Sequence, residues 1–237
     1  MASSWKLLVA VGCTLAATCM RTPPAPVEIT TAGVPMEADR TRALESIVGE
    51  CPRGSRECGP SGGPKLRLAT GPVPDGAAGF ELGTTENDAK MRCFDAGQMW
   101  SAHARRVVEC SGSAGAKIPF HVELQLGEEG NICRIILSQY LPAASEALER
   151  FGVIEDELTT KYGPPGAREL DVPDACAKDA TLAACLEDGR AKAELDWIWG
   201  TDHAVTARLV APSSKYVFLF VVYSDPAMAR AVQRRSL

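Results

Sequence analysis

The chain has little of what catalytic and metal chemistry usually needs. It holds three histidines, His103, His121 and His203, none beside a cysteine, and no CxxC pair, so a zinc site is disfavoured. No glycine-rich loop follows a strand and opens a helix, which removes the nucleotide-binding signatures. Excess positive charge is missing too: 25 Lys+Arg against 30 Asp+Glu give a formal net charge of −5. Nonspecific nucleic-acid or anionic-membrane binding needs a basic surface, so neither is expected. Beyond Cys19 no stretch is long and apolar enough for a transmembrane helix.

One segment imitates a catalytic centre. CGPSGGP, Cys58 to Pro64, resembles the CxGDSGGP nucleophile motif of chymotrypsin-like serine proteases, with Ser61 at the serine position. Pro60 replaces the aspartate, and all three histidines follow Ser61, whereas that family places its histidine and aspartate first. The segment reads as a Gly/Pro turn.

What is present is enough for a core. The chain has 237 residues, 46% of them hydrophobic and 23% charged. Its first stretch, Met1 to Cys19, reads as an export signal: Lys6 precedes an apolar run, Leu7 to Ala17, too short to span a bilayer, and small residues follow. Cys13 and Cys19 each resemble the lipidated cysteine of bacterial lipoproteins. Cys13 has Gly12 before it; Cys19 has the better run length and a Pro-rich tether after it.

Seven cysteines lie beyond that signal. In an exported chain they read first as disulfides. Cys51 with Cys58, and Cys176 with Cys185, enclose short polar loops. Cys93 on a predicted helix and Cys110 at the end of the next strand make a helix-to-sheet bridge plausible. Cys133 is left as a small buried apolar residue.

From Met20 to Gly79 lie nine of the sixteen prolines and nine of the twenty-one glycines, the composition of a flexible tether. Within it, MEADRTRALESIVG, Met36 to Gly49, predicts a short helix. Two similar units follow, at 80–141 and 142–237. The first opens with a helix capped by Thr84 or Thr85 and closed by Gly97. Strand-like MWSAHARRVVEC, IPFHVELQL and NICRIILS come next. In IPFHVELQL, strict alternation puts Val122 and Leu124 on a buried face and His121 and Glu123 on a solvated one.

The second unit opens with a helix from Ser145 to Tyr162, stopped by Gly163, Pro164 and Pro165. An insertion pinned by Cys176 and Cys185 separates it from AELDWIWG, HAVTARLV and KYVFLFVVY. The last of these, Tyr216 to Tyr223, is apolar on both faces, as a central strand is. The tail AMARAVQRRSL reads as a short basic helix. The expected fold class is α+β: two tandem repeats of a helix followed by a three-stranded antiparallel sheet, behind a flexible N-terminal region.

This succession, with the glycine-proline turn KYGPP, Lys161 to Pro165, resembles the SmpA/OmlA outer-membrane assembly lipoproteins. It is also similar to the secreted β-lactamase inhibitor proteins, which pair two such units and staple them with disulfides. The resemblance spans Phe80 to Tyr223 and implies an exported module that binds another protein.

Trp197 and Trp199 are candidate anchors for such a partner, or core residues beneath the second helix. His121 with Glu123 reads as a solvated strand face, and Glu155 with Asp156 as a solvated helix face. The leading expectation is a non-enzymatic envelope or secreted protein-binding module with no cofactor. It meets a membrane only through a lipid anchor. The alternative is a small-ligand binder or enzyme with a pocket between the repeats.

Overall fold

The computed structural model describes residues 38–44, 67–104, 106–112, 120–127, 129–200 and 203–225. Its centre is one sheet. Strands β3 (Gln98–Ala104), β4 (Val107–Gly112), β5 (His121–Leu126) and β6 (Ile132–Leu141) come from the first half. Strands β7 (Ala167–Asp171), β8 (Lys192–Trp199), β9 (His203–Ser213) and β10 (Tyr216–Ser224) come from the second. They lie in the order β3-β4-β5-β6-β10-β9-β8-β7, and every neighbouring pair is antiparallel.

The expected pair of separate three-stranded sheets is therefore wrong. Each half gives four strands to one continuous eight-stranded sheet, and β6 and β10 pair along the seam. Two features account for the extra strands. MWSAHARRVVEC reverses in its middle, where Arg106 takes a left-handed φ of 64°, and so makes both β3 and β4. ARELD, assigned to the insertion, is the edge strand β7. The seam is packed on both sides, with Leu219 on one face and Phe220 on the other, neither exposed.

Three helices cover one face: α2 (Glu86–Asp95), α3 (Ala144–Tyr162) and α4 (Leu182–Glu187). Thr85 caps α2, its hydroxyl oxygen accepting from the Asp88 amide at 3.2 Å. Ala89 and Cys93 of α2 face the sheet. Helix α3 buries the row Ala147, Phe151, Ile154, Leu158 and Tyr162, spaced three and four apart. It stops at Gly163, whose φ of 80° favours a residue without Cβ. No side chain at position 143 caps it. Asp179 of the insertion accepts from the Ala144 amide at 2.7 Å instead.

A further helical stretch, α1 (residues 38–44), lies on the opposite face. A small hairpin, β1 (Gly76–Ala77) with β2 (Phe80–Glu81), precedes α2. Residues assigned to the tether also join the fold. The Ala69 amide donates to the Ile198 carbonyl at 2.9 Å, and the Gly71 amide to the Tyr162 carbonyl at 3.0 Å. The fold thus begins well before Phe80.

Candidate functional site

The face under α1 carries the densest charge chemistry among the described residues. Alternation along β4 puts Val108 and Cys110 towards α2 and α3, so Glu109 points the other way. Register then sets Glu109 opposite Glu123, and His121 opposite Ser138. Two carboxylates facing each other on one sheet face repel. Arg40 of α1 resolves this. Its Nη1 donates to Glu123 Oε1, and its Nη2 to Glu109 Oε2 at 3.0 Å. Ser138 Oγ donates to Glu123 at 3.2 Å, and His121 Nδ1 lies 3.4 Å from Glu109.

The expectation of a solvated face is overturned at Glu123, which has no exposed surface, whereas the His121 side chain remains 54% exposed. Burial pushes the Glu123 carboxyl up to about 7, against the pull of Arg40. The hydrogen bond from His121, aided by Arg40, outweighs burial at Glu109 and holds that carboxyl at about 2. His121 in turn is raised above 6.5 by Glu109. Burial leaves Glu123 proton-holding, whereas Glu109, held by His121 and Arg40, is easily ionised. Around this cluster Ala43 and Leu44 of α1 pack with Val107, Ile136, Phe218, Phe220 and Val222. The arrangement is built to seat a guanidinium and an apolar helix face.

A second feature lies at the sheet's edge. Leu148, Phe151, Gly152 and Glu155 of α3 face Leu170, Val172 and Ala177 across a groove of about 400 Å³. Arg168 closes one part of it with Nε 2.8 Å from Glu155 Oε1. Glu155 is thus a half-buried ion-pair partner, whereas Asp156 beside it is exposed. Among the described residues β7 pairs with a strand on one side only, and Leu170 is 40% exposed. Reading ARELD as loop concealed this groove; the signal available was its alternation of Leu170 with charged neighbours.

The tryptophans go inward. Trp197 has no exposed surface, and its Nε1 donates to the Gly163 carbonyl at 2.7 Å. A fully enclosed indole offers nothing to a partner. Trp199 is half-buried, donates to the Gly71 carbonyl at 2.9 Å and meets the Tyr162 ring edge-on. Cys93–Cys110 and Cys176–Cys185 are disulfides, and Cys133 is a buried thiol. Cys13, Cys19, Cys51, Cys58, Ser61 and the basic tail lie outside the described residues. His103 and His203 fall on β3 and β9.

Among the described residues no cluster of three or more His, Cys, Asp or Glu side chains is arranged to hold a metal, and no helix is long and apolar enough to cross a membrane. Arg40 and Glu109 escaped the sequence reading. The signals were there: Arg40, Ala43 and Leu44 stand at i, i+3 and i+4, and Glu109 alternates with Val108 and Cys110.

No family model, curated protein or solved structure matches the chain. The two disulfides point to an oxidising, non-cytoplasmic compartment.

Proposed function

We propose that the chain is an exported, non-enzymatic protein-binding module that works outside the cytoplasm, in the cell envelope or beyond it. The observation that carries this reading is the α3–β7 groove beside a strand edge. A partner strand laid along β7 gains main-chain hydrogen bonds, and its alternate side chains enter the groove against Leu148, Phe151 and Leu170. Exposed Glu149 and Asp156 on α3 and Asp171 on β7 favour a partner segment that alternates apolar and basic residues. The short apolar run behind Lys6 supports export, and a lipid on Cys19 or Cys13 would keep the module at the envelope. The reading also agrees with what resemblance to the SmpA/OmlA lipoproteins and the β-lactamase inhibitor proteins implies.

The test combines affinity capture from the native envelope fraction with hydrogen exchange. Wild-type protein should retain a partner that protects the amides of Ala167–Asp171. A folded Leu170→Asp variant should lose that partner. Capture that is indifferent to Leu170 and leaves β7 exchanging freely would remove the groove from the proposal.

A further inference from the structure

Helix α3 carries a single glycine, Gly152, well inside its length. Glycine disfavours a helix interior more than any residue except proline. The backbone here is ordinary helix, so no left-handed φ calls for it. Packing does not call for it either: a Cβ built on Gly152 meets no atom within 4 Å. A Cβ on Gly71, in contrast, would strike the Tyr162 Cα at 2.5 Å, so that glycine is explained by its own fold. At Gly152 the helix gives up stability and the chain gains no contact in return. A glycine of this kind suits the close approach of something from outside.

What the missing side chain leaves is a notch. Leu148, Gly152 and Glu155 stand at i, i+4 and i+7 on one flank of α3, and all three line the groove facing β7. Leu148 and Glu155 are half-buried, so Gly152 opens a gap in the wall between them. Across that gap lie Leu170 and Val172, with Phe151 beneath.

The charge inside the notch is already met. Both oxygens of Glu155 accept from Arg168, Oε1 from Nε at 2.8 Å and Oε2 from Nη2 at 3.3 Å. An entering cation would have to displace that pair, whereas an apolar group meets Leu148, Phe151, Leu170 and Val172. The Arg168 side chain is 49% exposed, which leaves its guanidinium open to the face of a ring.

We infer that Gly152 is the specificity-determining position of the α3–β7 groove, a notch that admits one aromatic side chain of the partner strand. This rests on the groove being the binding edge and adds which side chain it selects. The strand's main chain pairs with β7, every second side chain turns towards α3, and the ring enters where Gly152 has none.

The experiment uses full-length protein and three fluorescent peptides of alternating lysine and valine. They differ only at one central apolar position, which is phenylalanine, alanine or lysine. Wild type should bind the phenylalanine peptide about tenfold more tightly than the other two. Gly152→Leu should fill the notch and bring the phenylalanine peptide down to the level of the alanine one. Its Tm should stay at or above that of wild type, because leucine suits a helix better than glycine. Lost selectivity without lost stability separates recognition from a structural role. Gly152→Ala fills less, should reduce the preference in part, and serves if Gly152→Leu misfolds.

A folded Gly152→Leu variant that keeps the preference overturns the inference. So does a wild type that binds the three peptides alike or prefers lysine. In those cases loss of every peptide from Leu170→Asp would leave the groove reading standing. Peptides that wild type ignores, or that Leu170→Asp retains, would remove the groove reading and the inference together. A Gly152→Ala variant that does not fold would show that the glycine serves α3 itself, which overturns the inference as well.

Discussion

Glu109 and Glu123 stand directly opposite each other across the β4–β5 pair, yet their acidities are driven apart, one to about 2 and the other to about 7. Neither strand alone explains the split. Arg40 reaches both, but Glu123 is enclosed while Glu109 also has His121.

This fixes the pH dependence of stability in two windows. Glu109 is lowered from its ordinary 4.5, so its contribution is present above 4.5 and is lost as pH falls towards 2. Glu123 is raised, so its contribution is complete below 4.5 and is lost as pH rises through about 7. His121, raised above 6.5, adds loss on the same alkaline side. Thermal unfolding across pH should show Glu123→Gln flattening the alkaline limb and Glu109→Gln the acid limb. Parallel profiles for both variants and wild type would contradict the assignment.

The cysteines divide into two bridges and a silent thiol. Non-reducing peptide mapping should recover Cys93–Cys110 and Cys176–Cys185 as linked pairs. Replacing Cys93 and Cys110 together by alanine should cost about 2–4 kcal/mol in denaturant unfolding, because the bridge ties α2 to β4. Cys133 should resist alkylation until the protein unfolds: it is buried, its thiol is pushed up to about 11, and it donates to the Gln125 carbonyl at 3.3 Å.

The insertion should report on a helix it does not belong to. Asp179 accepts from the Ala144 and Ser145 amides at 2.7 and 3.4 Å, where α3 has no cap of its own. Asp179→Ala should therefore cost about 1 kcal/mol and speed amide exchange in the first turn of α3. Reducing Cys176–Cys185, which holds that loop, should have the same local effect. Unchanged exchange at Ala144 would show that the contact carries no stability.

The parts of the fold legible in the sequence were those set by local chemistry. Alternation marked Val122 and Leu124 as core, and the two-sided apolar run from Tyr216 marked β10 as central. Gly163 marked the end of α3, and the placement of Cys93 on a helix and Cys110 on the strand after it suggested the bridge that forms. What was hidden depends on neighbours distant in sequence. The reversal into β4 is made by Arg106, with no glycine or proline to announce it. β7 is short and charged, as an edge strand tends to be, and so looked like loop. Glu123 reads as a surface residue until Arg40 arrives from 83 positions earlier in the chain. The alternation of Trp197 and Trp199 with Asp196 and Ile198 favoured the core over an anchor, and Trp197 is fully buried.

The β6–β10 seam has a consequence for biogenesis. β10 comes last among the described strands, yet it sits between β6 and β9 in the middle of the sheet. Until it is delivered, the first four strands present an unsatisfied flank at β6, and no stable half-sheet is bonded to the rest. A polypeptide emerging from its N-terminus must deliver every other described strand of the sheet before the middle can close, a slow step that invites aggregation. A nonsense mutation just upstream of Tyr216 would thus remove a keystone, where losing β7 would only trim a border.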